Sequence, residues 1–374
     1  MYDFIGDIHG HREKLEGLLK GMGYRNSGDG YRHPERKAFF VGDFIDRGPD
    51  SRGVVRLVRE MIETDAALAV MGNHEWNALQ YHTRGPDHQY LRERNEKNRK
   101  QHAQTLESYN CSEDEPDPEL LTHIEWFYRL PLFYDSPDFR VVHATWNQDR
   151  IDQLKAVYPD GRIDLSFVLR AAGYVLDDSE TSSDTPFIEL TISEVSGKSD
   201  PAKFPEFQIA ETLLKGQEAD LPHRMHFHDK DGHERRKARI KWWKDAYSAS
   251  KTANAAIGEP KSLSVSVDPP VSTSPGRTTR GPAAVPPTLT ASEYLFVPDG
   301  SSMPGITRGL LQSFPGYAKE APPVFFGHYW NRGKAELEAE NVCCLDYSAG
   351  KGGPLMAYRW DGERALTEKN FFWV

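Results

Sequence analysis

Three short motifs open this 374-residue chain: GDIHG at residues 6–10, GDFIDRG at residues 42–48 and GNHE at residues 72–75. Each motif follows a short apolar run, and these runs lie at Tyr2–Ile5, Ala38–Val41 and Ala67–Met71. Helical patterns separate the runs, with apolar residues recurring every three or four positions and Ser51 as the expected cap of the second helix. The alternation predicts an α/β fold with parallel strands, whose ligands bind beyond the carboxyl ends of the strands. We therefore expect the motifs to meet at one edge of a sheet.

Two later apolar runs place histidines at the same edge. Phe139–Val142 and Val324–Gly327 are predicted strands, and they end directly before His143 and His328. Each histidine would therefore lie beside the three motifs if its strand joined the same layered structure.

Other parts of the chain give simpler predictions. Val342–Asp346 and Leu355–Arg359 are predicted to form a closing antiparallel pair across the glycine-rich turn Gly350–Gly353. Residues 92–119 are strongly charged and then acidic, which is typical of a solvated helix followed by a loop.

Composition excludes several classes of protein. A net charge of −10 argues against a chain that binds nucleic acid or a membrane surface as a whole. Cys111, Cys343 and Cys344 are too few for a disulfide framework, and the adjacent pair is predicted to be buried in a strand. No apolar run approaches the ~20 residues of a membrane span, and no leader precedes the first motif. We expect a cytoplasmic protein.

The residue types in the motifs suit two-metal phosphoester hydrolysis. Two cations about 3.5–4 Å apart can activate water and clamp the phosphoryl oxygens, provided that anionic ligands hold them. Asp43 is our candidate for a ligand shared by both cations. Asp7 and His9 would complete the first metal site, and the second would be completed by Asn73, His143 and His328. Mixed oxygen and imidazole ligands favour manganese, iron or zinc over calcium or magnesium.

The same segments contain a phosphate ligand and a proton donor. Arg47 lies four residues after Asp43, and its guanidinium can form a bidentate pair with phosphate oxygens. His74 directly follows Asn73 and is our candidate for the acid that protonates the leaving oxygen. Asp46 would bind the other ring nitrogen of His74 and fix the orientation of the ring.

The series GDIHG, GDFIDRG, GNHE, VVHA and FFGH resembles the calcineurin-like metallophosphoesterases, in particular the phosphoprotein phosphatase branch. The resemblance implies a four-layer α/β/β/α sandwich with a cap-like insertion, two metals, and single-step attack by a metal-bound hydroxide. It assigns the metal ligands, Arg47 and the His74–Asp46 pair as above. It also implies a second phosphate-binding arginine between the late histidines, for which Arg150 and Arg170 are the candidates.

The predicted function is a two-metal phosphomonoester hydrolase resembling bacterial serine/threonine protein phosphatases. Asp46 and Glu75 favour that branch over the bacterial diadenosine tetraphosphatases, which usually lack both. The alternative is a dinucleoside polyphosphate hydrolase or a nucleic-acid end phosphatase, so the substrate is a phosphoprotein or a nucleotide. A non-catalytic scaffold is disfavoured because every site position is filled.

The predicted domains are a core at residues 1–176 and 299–374, and an insertion at residues 177–298 that can act as a cap. The insertion contains a strand-like run at Phe187–Ile192, a helix-like run at Phe207–Leu214 and a Pro/Ser/Thr-rich loop at residues 258–290.

A basic stretch, Arg235–Lys244, lies in the same insertion and contains Trp242 and Trp243. It is typical either of a nucleic-acid contact with stacking tryptophans or of a solvated helix, and we favour the helix. The nearby histidines match no firm metal motif, so we do not expect a third metal site at His223, His226, His228 and His233.

Overall fold

The computed structural model describes residues 1–26, 28, 30–176, 195–221, 226–228, 234–245, 288–289, 294–296, 306–307 and 316–374. They fall into two compact units, of which one comprises Met1–Gln217 with Ala318–Val374 and the other Glu218–Tyr317. The predicted domain boundaries and the cap-like role of residues 177–298 stay predictions. The strand predicted at Phe187–Ile192 lies outside the described residues, as does the predicted loop at 258–290 apart from residues 288 and 289.

The first unit begins with these elements: β1 Tyr2–Ile5, α1 Arg12–Gly21, β2 Arg25–Asn26, β3 Tyr31–Arg32, β4 Lys37–Phe40, α2 Ser51–Glu63, β5 Ala67–Ala69, α3 Asn73–His82, α4 Glu96–Ser108 and α5 Pro118–Phe127. It continues with β6 Phe133–Asp135, β7 Arg140–Val142, α6 Gln148–Lys155, α7 Leu165–Ala171, β8 Tyr174–Leu176, β9 Val195–Lys198 and α8 Pro205–Lys215.

The second unit contains β10 Glu218–Asp220, β11 Phe227–His228, β12 Glu234–Arg235, β13 Lys237–Ile240, β14 Thr288–Leu289, β15 Leu295–Phe296 and β16 Ile306–Thr307. The chain then returns to the first unit with β17 Val324–Phe326, β18 Val342–Cys344, β19 Met356–Trp360 and β20 Phe371–Trp373.

The first sheet has the strand order β20-β19-β1-β4-β5. Strands β1, β4 and β5 are parallel, with Ile5 opposite Phe40 and Phe40 opposite Ala69. The predicted parallel strands with crossover helices are therefore confirmed. The N-cap of helix α2 is Asp50 and not the predicted Ser51. The Asp50 carboxylate accepts the Gly53 N–H, and Ser51 is already the first helical residue.

The second sheet has the order β18-β17-β7-β6, with β17 parallel to both β7 and β18. The predicted antiparallel pairing of Val342–Asp346 with Leu355–Arg359 is wrong. Strand β18 belongs to this sheet, whereas β19 pairs with β1 and β20 in the other. The segment between them, which contains the glycine-rich turn, crosses from one sheet to the other. Local turn residues could not distinguish that crossing from a hairpin.

An apolar core lies between the two sheets. The Phe4 ring from β1 stacks on the Phe325 ring from β17, with ring centroids 3.6 Å apart. Tyr358, Cys343 and Val141 extend the same buried cluster. Two sheets face each other, and helices connect many of their strands along the chain, so the predicted mixed α/β fold is confirmed. The adjacent thiols of Cys343 and Cys344 are buried in a strand, as expected.

The basic stretch of the second unit contains no helix, and its residues Lys237–Ile240 form strand β13. In β13 the buried Ala238 and Ile240 alternate with Lys237 and Arg239, which have greater exposure. Burial with a period of two is the pattern of a strand, and the surrounding cations concealed it in the sequence. Strand β13 lies between β10 and β15.

Within the described residues, no helix is long and apolar enough to cross a lipid bilayer.

Candidate active site

All the predicted site residues lie at the carboxyl ends of strands in the first unit. Asp7 and His9 follow β1, the second motif follows β4, Asn73 and His74 begin α3 after β5, and the two late histidines follow β7 and β17. The side chains that the structure buries are Asp7, His9, Asp43, Asp46, Asn73, His74 and His143. Arg47 is exposed and His328 is half-buried. The site therefore consists of a buried polar cluster together with the exposed guanidinium of Arg47.

Two groups of side chains could each hold a metal ion, and Asp43 belongs to both. One group is Asp43 with His9 and His74, and the other is Asp43 with His143 and His328. Asp43 Oδ2 lies 3.6 Å from His9 Nε2, and Asp43 Oδ1 lies 3.4 Å from His143 Nε2. The two oxygens of one carboxylate thus face two different groups, which is the geometry that a bridging ligand requires.

Asn73 and Asp7 lie beside the second group. Asn73 Oδ1 is 3.1 Å from His143 Nε2 and 2.6 Å from His328 Nδ1. Asp7 Oδ2 accepts the backbone N–H of His328 at 3.1 Å. Asp7 Oδ1 is buried and has no hydrogen-bond partner among the described residues. An unpartnered buried carboxylate oxygen is costly unless a cation binds it, so this atom fits a metal site.

Backbone carbonyls fix the tautomers of two histidines. His143 Nδ1 donates to the Val41 carbonyl at 2.8 Å, and His9 Nδ1 donates to the Ile45 carbonyl at 3.2 Å. In each ring the other nitrogen, Nε2, faces Asp43. This is how imidazole ligands of metal ions are usually oriented, so the donor set also fits divalent cations.

The loops that carry these residues are in unusual backbone conformations. His9, Asp43, Asp46, Arg47 and His328 all have positive φ angles between 48° and 69°. Residues other than glycine seldom adopt this region, and they cluster in it at functional sites.

Glycine is required next to these strained residues. Gly42 has φ of 103°, and a Cβ atom there would lie 2.5 Å from the backbone nitrogen of Gly72. The second and third motifs can approach each other this closely only without a side chain at position 42.

Glu75 joins the same two motifs. Its carboxylate is fully buried and accepts the backbone N–H groups of Asp43 and Phe44, each at 2.8 Å, and that of Gly72 at 3.0 Å. Burial, with the nearby Asp43, raises the pKa of Glu75 to about 7. We had used Glu75 only to distinguish subfamilies, although its position in the first turn of α3 is a recognisable capping signal.

Arg47 lies between two imidazole rings at the mouth of the site. Its guanidinium donates to His9 Nε2 at 2.8 Å and approaches His74 Nε2 at 3.3 Å. No carboxylate among the described residues forms an ion pair with it. An exposed guanidinium that forms no ion pair within the described part of the chain, next to two potential metal groups, is placed to contact an incoming anion.

His74 and Asp46 form a short, buried hydrogen bond, with His74 Nδ1 2.6 Å from Asp46 Oδ2. The other carboxylate oxygen of Asp46 accepts two donors from α4, namely His102 Nδ1 at 2.9 Å and Thr105 Oγ1 at 2.6 Å. Burial acts to raise the pKa of Asp46, but His102 and then His74 outweigh it and hold that pKa well below its usual value. His102 and Thr105 are not recognisable from the sequence, because the charged pattern of α4 is typical of a solvated helix.

The central carboxylates differ in their electrostatic surroundings. Burial, together with Asp346, raises the pKa of Asp7 well above its usual value. Burial also acts to raise the pKa of Asp43, but His143 and His74 outweigh it and lower that pKa. The effect is mutual, since Asp43 outweighs burial and raises the pKa of His143 to about 10. His143 lowers the pKa of both carboxylates, but at Asp7 burial and the neighbouring Asp346 outweigh it.

The two candidates for a second phosphate-binding arginine lie on helices α6 and α7. Arg150 donates to Gln153 at 2.8 Å and to Gln208 at 2.5 Å. Arg170 lies in α7, near enough to Tyr158 to influence its pKa. The choice between them stays a prediction.

Comparison with known proteins gives a family match. Residues 2–183 match the family described as calcineurin-like phosphoesterase. The bis(5'-nucleosyl)-tetraphosphatase PrpE of Halalkalibacterium halodurans is 32% identical over 154 residues, which cover 40% of this chain and 59% of the relative. The protein of the same name from Oceanobacillus iheyensis is 45% identical over 73 residues, which cover 19% of this chain and 29% of that relative. The matched region thus spans less than two thirds of the length of these relatives.

Two solved structures are more distant. The cold-active protein-tyrosine phosphatase of a Shewanella species has a TM-score of 0.43 at 15% identity, with 96% of this chain and 75% of that chain covered. A metallophosphoesterase from Sphaerobacter thermophilus has a TM-score of 0.25 at 24% identity, with 38% of this chain and 46% of that chain covered.

Proposed function

We propose that this chain, which contains a calcineurin-like metallophosphoesterase domain, is a metal-dependent phosphoric ester hydrolase that acts on dinucleoside polyphosphates. The observation that carries the proposal is the pair of potential metal groups that share Asp43, with Arg47 and His74 facing the same space. In two-metal enzymes a pair of cations stabilises the attacking and the leaving oxygen of phosphoester hydrolysis, and a shared carboxylate would hold such a pair together.

In the proposed site, Asp7, His9 and Asp43 would hold one cation, and Asp43, Asn73, His143 and His328 would hold the other. Asp7 also contacts His328 of the second set through the backbone N–H of that residue. When bound, two divalent cations supply Lewis acidity to the phosphoryl oxygens and to the attacking water. Manganese, iron and zinc suit this mixture of oxygen and nitrogen donors. His74 Nε2 also lies 3.9 Å from Asp43 Oδ2, within the first group. We propose that His74 transfers a proton, and the metal content of His74→Asn tests this assignment against a role as a metal ligand.

The remaining groups act on the substrate. Arg47 binds the phosphoryl group that is attacked and orients it, since its donors face the site and no carboxylate among the described residues competes for them. His74 carries a proton on Nε2 and donates it to the oxygen that leaves phosphorus. Asp46 accepts the Nδ1–H of His74, fixes the ring, and stabilises the imidazolium before that transfer.

The choice of substrate is supported by the curated relatives, which are named as bis(5'-nucleosyl)-tetraphosphatases. Those names favour the dinucleoside polyphosphate alternative over the protein phosphatase that the motif details had favoured. Asp46 and Glu75 are therefore weaker markers of subfamily than the sequence analysis assumed, since in this chain they occur together with similarity to tetraphosphatases.

A phosphomonoester substrate with an alkoxide leaving group, as in a phosphoprotein, is a second candidate. It is favoured by the short His74–Asp46 bond of 2.6 Å. An alkoxide needs a proton as it leaves, whereas the phosphate oxygen of a nucleotide is acidic enough to leave with less help. A well-oriented acid is thus more valuable for the second candidate than for the first.

The two candidates can be separated with one set of assays. The chain, loaded with manganese, would be given diadenosine tetraphosphate, a phosphoserine peptide and a phosphate-ended oligonucleotide at matched concentrations. We expect the highest kcat/KM on diadenosine tetraphosphate, with no turnover by Asp43→Asn. Turnover of the phosphopeptide alone would support the second candidate instead. If no phosphoester reacted in any arm, the proposed function would be wrong.

A further inference from the structure

Helix α4 is unusual because its buried residues are polar. All thirteen of its residues are described, and only His102 and Thr105 among them are buried. An amphipathic helix normally buries an apolar stripe. Here the two buried side chains lie three positions apart on one face, and both donate to the same oxygen of Asp46, at 2.9 Å and 2.6 Å. The inner face of the helix is therefore built around one carboxylate.

Hydrogen bonds hold both the carboxylate and the backbone N–H of Asp46. Its carboxylate accepts from His74 on one oxygen and from His102 and Thr105 on the other. Its backbone N–H is bound in turn by the hydroxyls of Thr105 and Ser51, at 3.0 Å and 3.1 Å. Both ends of the residue are thus fixed, and its carboxylate cannot rotate without breaking three hydrogen bonds.

A second histidine, His82, forms a hydrogen bond with His102. His82 Nε2 lies 3.0 Å from His102 Nε2, so one of these nitrogens must carry a hydrogen and the other a lone pair. Because His102 uses its Nδ1–H for Asp46, a neutral His102 accepts at Nε2 and His82 donates. The direction of donation then runs from His82 to His102 to Asp46. This arrangement holds His102 as a donor towards Asp46.

We propose that His102 is a positioning residue for proton donation, which keeps Asp46 aligned as a hydrogen-bond acceptor so that His74 delivers its Nε2 proton to the leaving oxygen. The inference rests on the proposed function, since it presumes that His74 is the proton donor. His102 itself neither contacts the substrate nor takes up a proton.

The test compares His102→Phe with a matched control, His123→Phe. His123 is another buried histidine, equally exposed at 4%, whose ring nitrogen binds the Tyr109 hydroxyl 2.6 Å away and not Asp46. Rates would be measured on phenyl phosphate, which has a poor leaving group, and on p-nitrophenyl phosphate, which has a good one. We expect His102→Phe to lose about tenfold in kcat on the first and less than about twofold on the second, with KM unchanged.

Two further variants separate positioning from simple loss of structure. His102→Asn retains a donor near the position of Nδ1 and is expected to recover most of the loss. In a His74→Asn background, His102→Phe is expected to cost nothing more, because its effect passes through His74. Equal losses on both substrates, or full additivity with His74→Asn, would overturn the proposal. If His102→Phe fails to fold, Thr105→Val replaces it. This variant is also expected to lose more kcat on phenyl phosphate than on p-nitrophenyl phosphate, but the loss should be smaller.

A measurement without metal or substrate tests the inference separately from the proposed function. In the metal-free protein labelled with ¹⁵N-histidine, the Nδ1–H resonance of His74 should shift in His102→Phe and stay in place in His123→Phe. An unchanged His74 resonance in His102→Phe would overturn the inference even if the enzyme hydrolyses phosphoesters. Conversely, a shifted resonance in a protein without phosphoesterase activity would leave the coupling intact and reject the proposed function.

Discussion

The metal side and the proton-donor side of the candidate site are built in different ways. On the metal side, Asp7, Asp43 and Asn73 each follow a strand within a glycine-containing motif. On the proton-donor side, Asp46 depends on His102 and Thr105, which come from a charged helix more than fifty positions further along the chain. The first arrangement leaves a local signature in the sequence, whereas the second does not. The structure therefore adds most where function depends on contacts between distant segments.

The largest effect is expected on the metal side, from Asp43→Asn. An amide has one oxygen and no charge, so it cannot hold two cations, and we expect kcat to fall about a thousandfold or more on every phosphoester. Asp135→Asn is the control, since Asp135 in β6 forms ion pairs with Arg140 in β7 and Lys155 in α6. Steady-state rates would be compared after equal metal loading. Substantial activity in Asp43→Asn would remove the distinction between the two sides.

His74→Asn tests the proton-donor side alone. We expect a loss of about a hundredfold on phenyl phosphate and of less than about tenfold on p-nitrophenyl phosphate, because only the poor leaving group needs the proton. The variant should retain its bound metal, measured by atomic absorption. Loss of one metal ion would place His74 in the first metal group, where its distance to Asp43 also permits it.

Thr105→Val gives a smaller effect on the same side. The change removes one donor to Asp46, and we expect the free energy of unfolding to fall by about 1 kcal/mol. The rate on phenyl phosphate should fall by a few-fold. Thr122→Val is the control, because the Thr122 hydroxyl donates only to the Pro118 carbonyl within α5. Chemical denaturation and steady-state kinetics would measure the two effects, and identical behaviour of the two variants would count against a role for Thr105 at Asp46.

The smallest effect is expected in the second unit. Arg236 pairs with Glu234 at 2.7 Å and Lys237 with Asp220 at 3.5 Å, so these cations are largely neutralised by neighbouring acids. We expect the double variant Arg236→Gln, Lys237→Gln to hydrolyse the phosphate-ended oligonucleotide with the same KM as the unchanged chain. Glu234→Gln, which removes the acid and leaves both cations, is the matched comparison. A several-fold rise in KM in the double variant alone would favour the nucleic-acid interpretation of the basic stretch.

Much of the fold follows from periodicity in the sequence. Short apolar runs separated by helical patterns predicted β1, β4 and β5 as parallel strands, and parallel strands bring the three motifs to one edge. The pairing of β18 and β19 was not predictable, because a crossing between two sheets and a hairpin use the same glycine-rich turn. The basic stretch was misinterpreted because only Ala238 and Ile240 show its period of two.

The candidate site divides in the same way. The nine residues proposed from motifs lie at strand ends near one another, because the position after a buried strand determines where a side chain is placed. His102 and Thr105 could not be found, since two polar residues three positions apart are common on any solvated helix. Only the fold reveals that this face of α4 is buried against Asp46.

The central claim is that Asp43 is shared by two cation sites, and calorimetric titration with manganese tests it most directly. We predict that the metal-free chain binds two manganese ions and that Asp43→Asn binds neither with comparable affinity, because a single substitution weakens both sites. Asp135→Asn should bind two. Binding of a single ion by the unchanged chain, or loss of only one of two ions in Asp43→Asn, would contradict the shared ligand.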